Sequence, residues 1–252
     1  MASYLITGSS RGLGLELVKQ LVTFKQNTIG AIFASARASS PSSELAQVIQ
    51  ASNGRVQYVQ LDVSDQSSVE AAAATVTQKL SSTKSGLDVL VNNAGIQIPE
   101  GRISSAKASD LEFTLSTNVT GVHRVTAAFL PLLSRGQVKK IVNVSSTLGS
   151  IELSVRSPAT FHPSYKISKA ALNMLTVQYA AELAPQGFTV FAVSPGWLQT
   201  DLGGSYADLK PSDGARATLD IIFKSTPKKD NGSYRDIYIK GNSTYTGENP
   251  PW

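Results

Sequence analysis

The sequence predicts an α/β fold, a doubly wound sheet of seven mostly parallel strands, on the basis of three observations. Short apolar runs alternate with longer amphipathic stretches along the whole chain. Several runs are continuously apolar, which is typical of parallel strands covered on both faces. The chain has 252 residues, enough for a large core, and no long linker or internal repeat divides it. A single domain over residues 1–252 is therefore expected.

The predicted strands are short and end where turn residues begin. They cover Tyr4–Thr7, Ile29–Ala36, Val56–Leu61, Val89–Asn92, Lys140–Ser145 and Thr189–Ser194, with a weaker candidate at Arg235–Ile239. The predicted helices have apolar residues at three- and four-residue spacing. They cover Gly12–Phe24, Ser43–Gln50, Val69–Ser81, Leu111–Leu132, Tyr165–Leu183 and Ser212–Phe223. Ser67 and Glu70 have the spacing of a capping box, which predicts the start of the third helix.

The composition excludes several classes of function. The chain has no cysteine, which rules out disulfides, thiolate nucleophiles and cysteine-based metal sites. It has two histidines, His123 and His162, so a three-histidine metal site is impossible and no metal is predicted. The net charge of +5 is scattered, so we expect no nucleic-acid partner. No apolar run reaches the ~18 residues of a membrane span, and no signal peptide is recognised, so a cytoplasmic location is expected.

A glycine-rich turn, Thr7–Gly14, directly follows the first predicted strand. Its glycines allow positive φ angles and a close approach of the backbone to a pyrophosphate. The next helix offers free N–H groups and the positive end of its dipole. This position predicts a Rossmann-type dinucleotide site. The residues expected to contact the cofactor here are Gly8, Ser10, Arg11, Gly12, Leu13 and Gly14.

The same turn also matches the nucleophile-elbow pattern of α/β-hydrolases, through Gly8, Ser10 and Gly12. An elbow serine normally follows several strands, whereas only nine residues precede Ser10. We therefore rank the hydrolase interpretation last.

The end of the second predicted strand indicates which dinucleotide is bound. NAD enzymes usually have an acidic residue here that holds the ribose 2′-hydroxyl. This chain has no acidic residue there before Glu44, and Arg37 occupies the position at which a planar guanidinium binds a 2′-phosphate. Arg11, inside the glycine turn, would add a second positive charge. NADP(H) is therefore predicted over NAD.

Further motifs follow the strands in a fixed order. They are Asp62-Val63, Asn92–Gly95, Asn118, Ser145–Gly149, Tyr165–Lys169 and Ser194–Asp201. In this order and spacing the chain resembles the short-chain dehydrogenase/reductase family over nearly its whole length. The resemblance implies further cofactor contacts at Asp62 and Val63 beside the adenine, at Asn93, Ala94 and Gly95 along the cleft, at Pro195 and Gly196 flanking the nicotinamide, and at Thr200.

The resemblance also implies a catalytic set, Asn118, Ser146, Tyr165 and Lys169. Reduction of a carbonyl group requires a proton for the developing alkoxide, and the usual tyrosine pKa near ~10 is too high for efficient transfer at neutral pH. We expect Lys169 to lower that pKa and to hold the nicotinamide ribose, and Ser146 to orient the carbonyl oxygen. By resemblance, Asn118 anchors a water that relays protons towards Lys169.

Context decides between two pairs of alternatives within these motifs. Ser145 competes with Ser146, but neighbouring strand residues face opposite sides, and the family pattern S-x-x-G aligns Ser146 with Gly149. The Tyr-x-x-x-Lys spacing occurs again at Tyr206–Lys210. No serine-bearing strand precedes this second copy, so we treat it as a coincidence.

Two segments depart from the family pattern. Ser146 and Tyr165 lie 19 positions apart, several more than in most relatives, and the extra residues fall in Glu152–Pro163, where substrate enters. This insertion, which contains Pro158, would shape a larger or lidded pocket. The C-terminal segment Tyr245–Trp252 replaces the usual glycine-rich ending. Together they resemble the carbonyl reductases that include fungal norsolorinic acid ketoreductase and the C-factor-like proteins.

The expected function is the NADPH-dependent reduction of a ketone or aldehyde to the alcohol. A lid is expected from Trp197, Leu198, Leu202 and Tyr206, and apolar side chains at the cleft favour an aromatic or polyketide-type substrate of secondary metabolism. These side chains are Leu148, Leu153, Phe161 and Trp197. An isomerase or cyclase, or an NADPH-binding regulator, stays an alternative on the same scaffold. By resemblance, a dimer or tetramer would form through the helices that carry Asn118 and Tyr165.

Overall fold

Seven parallel strands form one sheet in the order β3-β2-β1-β4-β5-β6-β7. The computed structural model describes residues 1–81, 85–156 and 161–252. The strands are β1 (Ala2–Ile6), β2 (Ile29–Ala36), β3 (Val56–Gln60), β4 (Val89–Asn92), β5 (Lys140–Val144), β6 (Thr189–Ser194) and β7 (Tyr234–Asp236). Every neighbouring pair is parallel. The predicted α/β fold with a doubly wound, seven-stranded sheet is confirmed.

Helices cover both faces of the sheet. They are α1 (Gly12–Leu21), α2 (Ser43–Ala51), α3 (Gln66–Ser81), α4 (Ala108–Leu115), α5 (Gly121–Ser134), α6 (Ile151–Arg156), α7 (Pro163–Leu183), α8 (Pro211–Lys224) and α9 (Pro227–Asp230). The apolar sides of α1, α2 and α8 form one buried cluster with the sheet, and those of α3, α5 and α7 form another. The sheet is therefore buried on both faces, as its continuously apolar strands predicted.

The predicted element bounds are wrong at several ends, for local reasons. The capping box at Ser67 and Glu70 does not start α3, because the Asp65 carboxylate accepts the Ser67 N–H at 2.9 Å and α3 begins at Gln66. The strand predicted at Arg235–Ile239 is short because the chain leaves the sheet after Asp236. The Ile239 N–H instead donates to the Tyr245 carbonyl at 2.9 Å, in a hairpin with the C-terminal segment.

The helix predicted at Leu111–Leu132 is divided into α4 and α5 by a π-helical turn, Ser116–Thr120. The short helices α6 and α9 were not predicted, since each has too few residues for a periodic apolar pattern. Of the insertion predicted at Glu152–Pro163, residues 157–160, which include Pro158, lie outside the described residues.

The described part of the chain contains neither a membrane-spanning helix nor a cluster of metal-ligating side chains. None of the helices in it is both long and apolar enough to cross a bilayer. No group of three or more His, Asp or Glu side chains in it is arranged to hold a metal ion.

A buried lysine joins the sheet to the end of α8. Lys140, the first residue of β5, is 5% exposed. Its ammonium group donates to the carbonyls of Ile222 and Ser225, where the helix leaves carbonyls without helical partners. Burial lowers the pKa of Lys140, and the charge of Asp230 opposes that shift. These bonds stabilise the contact only while the ammonium group is present.

Replacing Lys140 by Met should lower the free energy of unfolding by ~2 kcal/mol, because the Ser225 carbonyl loses its lysine donor and the Ile222 carbonyl keeps only the Ser225 hydroxyl. Urea denaturation at neutral pH would measure the change. Lys224→Met is the matched control, since the Lys224 side chain is 79% exposed and forms a surface ion pair with Asp220. The control should shift stability by less than ~0.5 kcal/mol. Equal losses in the two variants would contradict this role of Lys140.

Candidate active site

The predicted site residues meet at the carboxyl edge of the sheet, where β1, β4, β5 and β6 end. The crevice outside the carboxyl ends of parallel strands is where such folds bind ligands. The glycine turn follows β1, Asn93–Gly95 follow β4, Ser146 follows β5, and the segment Pro195–Thr200 follows β6. The topology therefore brings together residues that lie far apart in sequence.

The glycine turn is folded tightly enough to present its backbone to a ligand. Gly8 and Gly12 have φ angles of +69° and +56°. A Cβ atom on Gly14 would lie 2.3 Å from the Gly8 carbonyl oxygen, so only glycine fits there. The α1 helix starts after Arg11, whose side chain does not cap the first N–H groups. The turn thus has the glycine geometry and the open helix start that a pyrophosphate requires.

Thr7 ties this turn to the segment after β4. Its hydroxyl accepts the N–H groups of Asn93 and Ala94, each at 3.0 Å. In return the Asn93 amide donates to the carbonyls of Thr7 at 2.8 Å and Gly8 at 3.2 Å. Sequence analysis assigned Asn93 and Ala94 to the cofactor cleft and did not assign Thr7. These bonds show how a threonine in the turn sets the distance between the two segments.

The two arginines predicted to face a 2′-phosphate differ in their surroundings. Arg37 follows the last residue of β2 and is exposed, and no described residue pairs with its guanidinium group. Arg11 instead forms an ion pair with Asp201 at 3.2 Å, which joins the glycine turn to the segment after β6. Arg11 is still predicted to add a second positive charge near the cofactor, and the ion pair with Asp201 shows what holds it before a cofactor binds. Asp201 could not be identified as its partner because the two residues are 190 positions apart.

Asp62 and Val63, which are predicted to lie beside the adenine, follow the end of β3. The Asp62 carboxylate accepts the N–H and the hydroxyl of Ser64, at 2.9 and 2.6 Å. Val63 is buried, and its Cγ2 would lie 2.9 Å from a Cβ on Gly121. Asp62 thus shapes its own turn, and Val63 packs against the start of α5.

Ser146, Tyr165 and Lys169 form a compact group between β5 and α7. Tyr165 is 7% exposed, and the Ser146 side chain lies close enough to its hydroxyl to influence its pKa. Lys169, one helical turn later, lies with its Nζ 5.4 Å from the centre of the Tyr165 ring. That Nζ atom donates to the carbonyl of Val144, the last residue of β5, at 2.8 Å. Three of the four predicted catalytic side chains therefore lie close together.

Burial dominates the ionisation of this group. It raises the pKa of Tyr165 to about 12, although the nearby Ser146 side chain acts in the opposite direction. Burial also lowers the pKa of Lys169 to about 8. The expectation that Lys169 lowers the tyrosine pKa is therefore not met in the protein by itself. The reason is that desolvation favours the neutral form of both side chains.

Asn118, the fourth predicted residue, lies in the π-helical turn and is 1% exposed. Its amide pairs with the backbone of Ile96 in both directions, at 2.8 Å each. It also donates to the Ser168 hydroxyl at 3.0 Å. A Cβ on Gly95 would lie 3.3 Å from Asn118 Oδ1 and 3.6 Å from Lys169 Nζ, so the glycine leaves a gap between the two groups. Turns of this helical type are frequent at functional sites.

Ser145 and Ser146 face different surroundings, as strand alternation predicted. Ser145 is buried and bonds to the Asn173 side chain at 2.6 Å. The Asn173 amide also donates to the Gly149 carbonyl at 3.3 Å. Asn173, which the motifs did not single out, therefore anchors the turn that carries Ser146.

Glu100 is a second residue that sequence analysis missed. Its carboxylate accepts the N–H of Ser164 at 2.9 Å and the Ser164 hydroxyl at 2.5 Å. Ser164 precedes Tyr165 in the first turn of α7, so Glu100 acts as a cap supplied from the segment after β4. His162 supports the same contact, because its Nδ1 lies 3.3 Å from the Ile98 carbonyl. No local pattern marks a contact that spans 64 positions.

One of the four residues predicted to form a lid after β6, Leu198, is buried and not exposed. Leu198 is 6% exposed and belongs to the core cluster, where it pairs with Leu209. It therefore anchors the segment and is not part of a lid. Trp197, Leu202 and Tyr206 are exposed, by 52%, 43% and 91% respectively. The high exposure of Tyr206 agrees with the treatment of the second Tyr-x-x-x-Lys as a coincidence.

The sequence and the fold are both similar to known proteins. The family profile "short chain dehydrogenase" matches residues 3–210. The short-chain dehydrogenase/reductase AacuF of Aspergillus aculeatus is 37% identical over 85% of this chain and 78% of its own length. The C-signal protein of Myxococcus xanthus is 34% identical over 66% of this chain and 93% of its own. The NADPH-bound carbonyl reductase from chicken fatty liver superposes with a TM-score of 0.88 at 30% identity, covering 100% of this chain and 99% of that one.

The buried Lys169 should make stability depend on pH. Between a folded-state pKa of about 8 and an unfolded value of 10.5, the folded lysine has lost its proton while the unfolded chain keeps it. The unfolded state then binds more protons, so stability rises with pH across this window and does not depend on this group at lower pH. Urea denaturation of wild type and Lys169→Met from pH 7 to pH 10 measures this. The difference between them should shift in favour of wild type as pH rises, and parallel curves would contradict it.

Proposed function

The chain belongs to the short-chain dehydrogenase family, and on this premise we propose that it uses NADPH to reduce a ketone or aldehyde to the alcohol. As a member of this family it is an oxidoreductase that acts on carbonyl or alcohol groups with a nicotinamide cofactor. Residues 1–252 would form one NADP(H)-binding domain, and its cytoplasmic location remains a prediction from the sequence.

The observation that carries the proposal is the grouping of the buried Tyr165 with Ser146 and Lys169 at the carboxyl edge of the sheet. When bound, the nicotinamide supplies the hydride. Ser146 then donates a hydrogen bond to the carbonyl oxygen, and Tyr165 transfers its proton to the same oxygen as negative charge develops. Tyr165 carries the proton that this step needs, and a positive charge on the nearby Lys169 would favour its transfer by stabilising the tyrosinate.

Proton supply to Tyr165 would pass through Lys169. Its lowered pKa keeps the lysine close to the point where it can give and take a proton near neutral pH. A water in the gap beside Gly95 would contact both Asn118 and Lys169. Asn118 is held rigidly by Ile96, so that the position of such a water is fixed.

The preference for NADPH rests on charge at the end of β2. Arg37 is exposed there without an ion partner among the described residues, and the next acidic residue in sequence is Glu44. A ribose 2′-phosphate would meet a free guanidinium group and no opposing carboxylate. The NADPH-bound state of the similar chicken carbonyl reductase supports the same choice.

The substrate is proposed to be apolar, aromatic or of the polyketide type. Trp197 and Phe161 are 52% and 58% exposed, and Leu148 and Leu153 are half-buried in the turn and helix after β5. Apolar side chains of this kind favour a large hydrophobic ligand. A role in secondary metabolism stays a prediction from the sequence.

A homo-oligomer is also proposed, as the family resemblance implies. The exposed apolar side chains of Phe113 on α4 and of Ile167 and Met174 on α7 support an interface on these helices.

Tyr165→Phe should abolish turnover, with a loss of at least ~10³-fold, because the ring keeps its packing but has no proton to give. NADPH affinity should change by less than about twofold. The assay follows the loss of NADPH absorbance over aromatic ketones, quinones and aldehydes. Tyr238→Phe, at a tyrosine that is 62% exposed and has no role in the site, is the matched control and should retain full activity.

The outcomes of that assay distinguish the proposed reductase from the alternative functions. Normal turnover by Tyr165→Phe would contradict the mechanism. If wild type binds NADPH tightly but oxidises it with no substrate of the panel, a regulator becomes the better hypothesis. Product formation without oxidation of NADPH would instead indicate an isomerase or cyclase.

Arg37→Ala should weaken NADPH binding by ~10- to 100-fold, the value of a charge-assisted contact with phosphate. Binding of NADH should change by less than about twofold. Titration of the purified variants with both dinucleotides measures the difference. Arg216→Ala removes a positive charge from the exposed face of α8 and serves as the control for net charge. Equal losses of NADPH and NADH affinity in Arg37→Ala would refute the phosphate contact.

A further inference from the structure

The wall after β6 is a closed loop, Trp197–Leu209, here called the post-β6 loop. Its ends pair like strands: the Gln199 N–H donates to the Leu209 carbonyl at 2.8 Å, and the Leu209 N–H to the Trp197 carbonyl at 3.1 Å. The loop carries Asp201, which pairs with Arg11, and Thr200, which lies opposite Gly12. Its position therefore sets the distance between the glycine turn and one wall of the cleft.

A tyrosine from the C-terminal segment reaches the base of this loop. The Tyr245 hydroxyl donates to Asp208 Oδ1 at 2.8 Å and accepts the N–H of Trp197 at 3.0 Å. One hydroxyl thus joins the two ends of the post-β6 loop. Its ring is 6% exposed and lies in the core cluster with Leu198 and Leu209.

The hairpin that brings Tyr245 to the loop is braced locally. The Ile239 N–H donates to the Tyr245 carbonyl at 2.9 Å, and the Asn242 carboxamide oxygen accepts the Thr244 N–H at 2.8 Å. These bonds fix the backbone on both sides of the turn that precedes the ring. The hairpin therefore fixes the position of the Tyr245 hydroxyl, and the post-β6 loop is hydrogen-bonded to that hydroxyl.

The backbone that Tyr245 contacts is the segment predicted to flank the nicotinamide. Gly196 has a φ angle of +84°, and a Cβ there would lie 3.1 Å from Cε1 of the Tyr245 ring. Trp197, the next residue, presents a half-exposed ring whose Nε1 donates to the Gly203 carbonyl at 2.7 Å. The ring of Tyr245 thus fills the space beside Gly196, and its hydroxyl accepts the backbone N–H of Trp197.

We propose that Tyr245 is a positioning residue, which acts through Asp208 and the Trp197 backbone to hold the post-β6 loop against the cleft. This inference rests on the proposed function for its kinetic consequences and on the structure alone for the placement of Trp197. Burial raises the pKa of Tyr245 to about 12, so the hydroxyl keeps its proton and remains a donor to Asp208.

Tyr245→Phe removes the hydroxyl and keeps the buried ring. We expect kcat to fall and the KM for the carbonyl substrate to rise, each by roughly three- to tenfold, the loss of about one hydrogen bond. The Kd for NADPH should change less than the KM for the carbonyl substrate, since the Arg37 side chain lies at the end of β2, outside the loop. Tyr238→Phe is the matched control: this tyrosine belongs to the same segment and is 62% exposed. It should leave all three constants unchanged.

Tryptophan fluorescence tests the placement without any turnover. The chain has two tryptophans, so a Trp252→Phe background leaves Trp197 as the sole reporter. Adding Tyr245→Phe to this background should increase acrylamide quenching of Trp197 by about twofold, because the backbone N–H of Trp197 loses the Tyr245 hydroxyl as its acceptor. Adding Tyr238→Phe should leave the quenching unchanged.

A double-mutant cycle separates this role from general loss of stability. If the hydroxyl acts through Asp208, then Tyr245→Phe and Asp208→Ala are non-additive in kcat/KM, whereas Asp208→Asn, which keeps an oxygen acceptor, retains most of the activity. Additive losses, or unchanged kinetics and quenching in folded Tyr245→Phe, would overturn the inference. If wild type reduces no carbonyl compound, the proposed function fails, and the quenching experiment still decides the role of Tyr245.

Discussion

The backbone carbonyl groups near the carboxyl ends of the parallel strands require hydrogen-bond donors from outside the strands. The hydrogen bonds that satisfy them fix the segments and side chains of the site. The Val144 carbonyl at the end of β5 is satisfied by Lys169 Nζ at 2.8 Å. The Ile6 carbonyl at the end of β1 accepts the hydroxyls of Ser9 and Ser35, and that of Val91 at the end of β4 accepts the N–H of Thr7. The same bonds that complete the sheet therefore fix the polar groups proposed to bind and react.

Local patterns were sufficient to predict the sheet and the location of the site. The bounds of β2, β4 and β6 match the prediction, because each strand is an apolar run with a turn residue after it. The glycine turn could be placed for a similar reason: its conformation depends on residues within eight positions. Ser146 could be preferred over Ser145 because strand alternation is also a local property.

Contacts across the chain could not be predicted in this way. Glu100 and Ser164, or Tyr245 and Trp197, are separated by 64 and 48 positions, and neither pair has a motif. Arg11 is a further example, since its charge is visible in the sequence and its ion pair with Asp201 is not. The ionisation of Tyr165 and Lys169 was misjudged because desolvation depends on packing that no sequence pattern reports.

The segment between Ser146 and Tyr165 is held at both of its ends. Ser150 is buried and accepts the Leu153 N–H at 3.1 Å, and Ser164 is held by Glu100. Changes of length or composition between these two anchors leave the reacting groups where they are. On the proposed function, the residues expected to select a substrate would then be separate from those expected to perform the chemistry. Such an arrangement allows natural variation, or an engineer, to exchange one without redesigning the other.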